Sequence, residues 1–129
     1  MGIRDNIAAI SFVMAAGTGF AQAAEDCSGA GDQAAITACA DIAYRSADRA
    51  LNAQYAQTRK AIVAYDAEGE RLLISAQRAW VAFRDAHCTA ASFAFKGGTM
   101  EPAARLLCLA ETTGERTRQL NSMLTTYAH

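Results

Sequence analysis

Four cysteines, Cys27, Cys39, Cys88 and Cys108, constrain this chain more than any other feature, because two of them flank a pair of helix-breaking glycines symmetrically. Residue 98 lies midway between Cys88 and Cys108, inside the run Lys96-Gly97-Gly98-Thr99. If helices flank that run and pack antiparallel, the two sulfurs stand at the same height and can bond. Of the three formal pairings, the local one is expected, Cys88 with Cys108 and Cys27 with Cys39. An even number of cysteines in a small exported chain reads as a disulfide framework. The competing reading is a metal site, since His87 adjoins Cys88 and thiolates with imidazole suit zinc. No two of these ligands have C-x2-C or H-x3-H spacing, and the haem-attachment run C-x-x-C-H is absent. No metal and no cofactor is therefore expected.

Export is read from residues 1–23. Arg4 precedes an apolar run from Ile7 to Ala16, followed by small residues and a cleavage-like Ala21-Gln22-Ala23, the layout of a secretory signal peptide despite the acidic Asp5. The run is too short, and too interrupted by Gly17, Thr18 and Gly19, to span a hydrocarbon layer of about 30 Å. Ala24-Glu25-Asp26 before Cys27 is unlike a lipid-attachment sequence. Residues 24–129 are thus expected as one mature domain, periplasmic or secreted, with no membrane anchor after cleavage. With 12 Lys+Arg against 13 Asp+Glu, the 129-residue chain is no polybasic binder of nucleic acid, and at 52% hydrophobic it is no disordered tail.

A single Pro and an abundance of Ala favour long helices without interior breaks. Asp32 is the expected N-cap of a helix reaching about Tyr65, with Ile36, Ala40, Ala43, Ala47, Leu51, Tyr55, Ile62 and Tyr65 on its apolar side. Asp66-Ala67-Glu68-Gly69-Glu70 supplies turn residues and first-turn acids. A second helix follows to about Phe95, with Leu72, Leu73, Ala76, Trp80, Phe83 and His87 at helical spacing. Gly97-Gly98 ends it, Thr99 is the expected cap of a third helix, and Pro102 sits in the first turn of that helix, where its missing N–H is tolerated. Leu106, Leu109, Thr113, Leu120 and Leu124 form the third helix's apolar side. Short connections make the expected fold all-α, an antiparallel bundle of three long helices stapled by two disulfides.

Helical steps of about 100° place Gln77, Trp80, Arg84 and Cys88 on one stripe that must face another helix. An unpaired guanidinium in such a seam would cost several kcal/mol, so partners are required. On the first helix, Asp48, Leu51, Asn52 and Tyr55 form the matching stripe. Reflection through residues 67 and 68 sets Leu51 opposite Arg84 and Tyr55 opposite Trp80; reflection through residue 98 sets Thr112 beside Arg84 and Arg116 beside Trp80. Asp48, Asn52, Tyr55, Gln77, Trp80, Arg84, Thr112 and Arg116 are then one interior polar layer, read first as a network that fixes helix register rather than as a site. Arg59, Lys60, Arg71 and Arg78 read as an exposed face. No catalytic residue is expected: there is no Ser, His and Asp trio on the breaks, no paired carboxylates with an obvious pocket and no phosphate loop, and His87 and His129 read as non-catalytic.

The stretches Asp48-x-x-Leu51-Asn52-x-x-Tyr55, Ala76-Gln77-Arg78-Ala79-Trp80-x-x-Phe83-Arg84-Asp85-x-x-Cys88, Gly97-Gly98-Thr99 and Cys108-Leu109-x-x-Thr112-x-x-x-Arg116 resemble the lysozyme-inhibitor LprI-like domain family. The match covers nearly the whole of residues 24–129. Thr99 stands where that family commonly has Ser. The resemblance implies a small exported helical domain with disulfides and, for the member that names the family, inhibition of lysozyme. It points to a binding protein, not an enzyme, whose partner is a lysozyme or another cell-envelope protein. Occlusion of a muramidase cleft, whose two carboxylates favour a basic group, directs attention to Lys96 beside Gly97 and Gly98. The alternative is a periplasmic structural or stress-related interaction module with another partner.

Overall fold

The computed structural model describes residues 27–128, so the expected signal peptide, its cleavage site and His129 lie outside the described residues. Three long helices carry the chain, α1 (Gln33–Tyr65), α2 (Ala67–Ser92) and α3 (Glu101–Tyr127), with a 3-10 turn over Phe93–Phe95 after α2. No strand occurs among the described residues. Both disulfides pair as the spacing predicts, Cys27 with Cys39 and Cys88 with Cys108, with Cα atoms 5.4 and 5.5 Å apart.

Local chemistry sets the helix ends. The Asp32 carboxylate accepts from the Ala35 N–H at 2.8 Å and so starts α1. Asp66 alone joins α1 to α2. Its extended backbone breaks the helix, its N–H donates to the Ile62 carbonyl, and its carboxylate accepts from the Glu68 N–H. The link is so tight that a Cβ on Gly69 would stand 2.8 Å from Cγ2 of the buried Ile62. Gly69→Ala is therefore expected to destabilise the domain by about 1 kcal/mol in urea melts, overpacking outweighing the helix-propensity gain of about 0.8 kcal/mol.

The break between α2 and α3 corrects one expectation. Gly97 takes the left-handed conformation (φ 79°) that ends the preceding turn. Thr99 is not the cap of α3: Met100 occupies that position without a side-chain bond, and the Glu101 carboxylate instead reaches back to the Gly97 N–H at 2.7 Å. That bond ties down a loop N–H rather than one of α3's own first N–H groups, so α3 starts without a side-chain cap, its carboxylate in the first turn favouring the positive end of the helix.

In the up-down-up bundle α1 and α3 run parallel. The Thr58 hydroxyl donates to the Leu120 carbonyl at 3.0 Å, and the Tyr65 and Tyr127 rings meet edge-on, both pairs separated by the same 62 residues. Small buried residues, Ala40 and Ala47 on α1 with Ala103, Ala110 and Gly114 on α3, bring these helices close. Leu51, Ile62, Leu73 and Leu120 form the core, with Tyr55, Trp80, Met123 and Tyr127 packed on its edge.

Helix α2 contributes only a narrow buried stripe, Leu73, Arg84, Cys88 and Ser92. Leu72 and Phe83, expected on its apolar side, are therefore exposed, and His87 stacks on Phe83 at 5.3 Å. Tyr65 is 79% exposed for a related reason: it ends α1 at the rim, touching Tyr127 by one edge. The register between α1 and α2 also differs from the expectation. Arg84 lies over Tyr44, not opposite Leu51, and Arg59 pairs with Glu70, so the two helices are related through about residue 64 rather than through 67 and 68. One extended residue sets that axial offset, which a symmetric reflection through the turn ignores.

Candidate functional site

Two places on the bundle gather the residues singled out from the sequence: the end of the α2–α3 hairpin and the face shared by α1 and α2.

At the hairpin end, the Cys88–Cys108 bond clamps the two helices below the tip. Thr112 is buried with its hydroxyl 3.7 Å from the Cys88 sulfur and 3.9 Å from that of Cys108, and the buried Ser92 hydroxyl donates to the Cys88 carbonyl. Above this polar collar Phe93 and Phe95 stand 64% and 44% exposed. The Lys96 ammonium lies 5.3 Å from the centre of the Phe93 ring, a cation held on an aromatic face. Gly98 N–H donates to the Phe95 carbonyl, closing the turn. The tip thus presents two rings and one ammonium on a short, doubly anchored loop.

Between α1 and α2 lies a groove of about 530 Å³. Asp48, Leu51, Asn52, Tyr55 and Arg59 line one wall, and Ile74, Gln77, Arg78, Trp80, Val81 and Arg84 the other. The expected interior layer is therefore open along this side. Asn52 is exposed, Asp48, Tyr55, Gln77 and Trp80 are half-buried, and Arg84 alone of the wall's polar residues is buried, at 9% exposure. The Arg84 guanidinium lies 5.2 Å from the Trp80 ring and 5.7 Å from the Tyr44 ring, and its carboxylate partner is Asp85, at 3.0 Å on the same helix, rather than Asp48. Asp48 instead accepts from the Asn52 amide at 3.4 Å.

Arg116 lies one helical turn from its expected place: its Nε donates to Gln77 rather than standing beside Trp80. It also donates to Gln119, and its Nη2 is buried without a partner. Burial pushes its guanidinium below the ordinary arginine range. Among the described residues no group of three metal-ligating side chains occurs, and all four cysteines are bonded to one another.

The profile of the family described as lysozyme inhibitor LprI matches residues 23–120, a span that holds both disulfides, the tip and the groove. The chain belongs to the LprI family. A curated relative, an uncharacterized protein of Rhizobium meliloti (strain 1021), is 39% identical over 109 residues, which cover 77% of this chain and 78% of the relative. No solved structure matches.

In this LprI domain the motif residues divide between the two places. Asp48, Leu51, Asn52, Tyr55, Gln77, Arg78, Trp80 and Arg84 line the groove, and Cys88, Cys108, Thr112 and the Gly97-Gly98 pair shape the tip. Sequence reasoning missed Tyr44, Asp85, Phe93 and Phe95. Asp85 was visible as the Arg84-Asp85 pair within the motif, whereas Tyr44 needed the true register, and the Phe93 and Phe95 exposures needed the 3-10 turn that rotates them outward. No helix among the described residues is long and apolar enough to cross a membrane.

Proposed function

We propose that the domain is an exported binding protein that inhibits a lysozyme by inserting the α2–α3 tip into its cleft, without catalysis. Residues 1–23 act as the export signal and are removed, and oxidation in the exported compartment forms both disulfides. The observation that carries the reading is the tip itself, an exposed ammonium lying on the Phe93 ring beside Phe95, on a loop clamped by the Cys88–Cys108 bond. A muramidase cleft carries two carboxylates, to which a cation held on a ring face is complementary. The clamp lowers the entropy lost on binding. Membership of a family described as lysozyme inhibitors supports a lysozyme as the target.

The test is loss of turbidity of a cell-wall suspension by several lysozyme types in the presence of the purified mature protein. Lys96→Glu is expected to raise the inhibitory concentration about 10-fold, the worth of one charge-assisted contact, while the helical circular-dichroism signal is kept. Inhibition by the unaltered protein is expected to weaken with ionic strength. Full inhibition by Lys96→Glu would move the contact away from the tip. No inhibition of any lysozyme at micromolar protein would replace this reading with that of a periplasmic interaction module.

A further inference from the structure

The groove between α1 and α2 combines ring faces, amides and a cation that has no ion-pair partner among the described residues. Its volume of about 530 Å³ is that of a small-ligand site. Tyr55 and Trp80, one from each wall, are half-buried against the core, and the Arg84 guanidinium lies over the Trp80 ring at 5.2 Å. Asn52 and Gln77 contribute an amide from each wall, and Asp48 a carboxylate beside Asn52. Two of the arginines along the walls are already matched, Arg59 by Glu70 and Arg84 by Asp85. Arg78 is exposed and has no ion-pair partner among the described residues.

Each class of ligand makes a different demand on these groups. A purely apolar molecule would strip water from Asp48, Asn52 and Gln77 and return nothing. A polyanion such as a nucleotide would find one free cation and would face the Asp48 carboxylate. A neutral sugar would satisfy the amides and the rings but leave Arg78 unused. A sugar ring has an apolar C–H face for aromatic side chains and a rim of hydroxyl and acylamino groups for amides and a carboxylate, and one acidic substituent would complete the match.

We propose that the α1–α2 groove binds a saccharide bearing a carboxylate, with its C–H face on Trp80 and Tyr55, its polar rim on Asp48, Asn52 and Gln77, and its carboxylate on Arg78. The site is distinct from the tip and does not rest on lysozyme inhibition. Sugars of this chemistry come from two sources, the muramic acid of a bacterial wall and sialylated glycans, and the same experiment separates them.

Trp80 is the sole tryptophan of the chain, so its emission reports directly on the groove. The mature protein is titrated with the disaccharide of N-acetylglucosamine and N-acetylmuramic acid, with 3′-sialyllactose, and with neutral N,N′-diacetylchitobiose, and calorimetry repeats each titration. A saturable change in Trp80 emission is expected with one or both acidic sugars, and binding about 10-fold weaker with chitobiose. Whichever acidic sugar binds more tightly identifies the source. Arg78→Glu, a substitution at an exposed position with no ion pair among the described residues, is expected to weaken the acidic sugar by at least about 10-fold and to abolish its preference over chitobiose. Asn52→Ala is a second variant at an exposed position, expected to weaken all bound sugars alike. The proposal is overturned if neither acidic sugar binds, if chitobiose binds as tightly as they do, or if Arg78→Glu retains the preference.

Discussion

Replacing Cys88 and Cys108 together by alanine is expected to lower the stability of the domain by about 3 kcal/mol from the loss of the loop constraint alone. The bond closes a loop across 20 residues of sequence separation, and reduction releases that loop in the unfolded chain. The folded state loses something as well. Cys88 is fully buried, and the Thr112 hydroxyl has both sulfurs as its neighbours, so two alanines leave a small void beside a hydroxyl with fewer contacts, adding about 1 kcal/mol. Urea melts of the oxidised protein and the double variant measure the sum. An unchanged midpoint would mean that helix packing alone holds the hairpin. The same change is expected to weaken lysozyme inhibition, because the tip loses its preorganisation.

Arg84→Ala is expected to cost about 2–3 kcal/mol, against less than about 1 kcal/mol for Arg71→Ala. Arg71 pairs with Glu68 in full contact with water, and its removal leaves nothing stranded. Arg84 is sandwiched between the Tyr44 and Trp80 rings and is the largest group in the buried stripe of α2. Its carboxylate partner Asp85 is half-exposed, so water takes over that partner when the guanidinium is gone, and the loss falls short of the 3–5 kcal/mol typical of a sealed ion pair. Arg84→Met separates the contributions, since it keeps the packing and removes the charge. Recovery of most of the lost stability by Met would make packing the larger part. Equal urea midpoints for Arg84→Ala and Arg71→Ala would contradict the burial of Arg84.

The helices, the start of α1, the break between α1 and α2 and the covalent pairing were legible because each depends on neighbours in sequence, whereas the expected Thr99 cap is not formed. The Asp32 cap, the Asp66 break and the symmetry of two cysteines about Gly97-Gly98 are local signals, and each recurs in the structure. The seam between α1 and α2 was legible only in its membership. Helical periodicity brought Asp48, Asn52, Tyr55, Gln77, Trp80 and Arg84 to one face, but not the axial offset imposed by a single extended residue, nor the angle that leaves the seam open. Arg116 shows the same limit, displaced by one turn toward Gln77. Periodicity fixes the side of a helix a residue occupies, while its height against a partner helix is a tertiary quantity.

The two disulfides divide the covalent frame unequally. One ties Cys27 back to the first turns of α1, and the other ties α2 to α3, so the two bridged loops share no residue and Asp66 is the one residue between α1 and α2. One groove wall therefore belongs to a rigid stapled pair and the other to a strut attached at one end. No covalent bond crosses the groove, and its width is set by the seating of α1 on α3, through small residues and the Thr58 bond, together with the Arg59–Glu70 pair and the Arg84–Tyr44 contact between its walls. An occupant that needs more room draws its cost from those contacts, and a single peptide-bond cut at Asp66 would leave the two walls joined by non-covalent packing alone while both bridges stay intact.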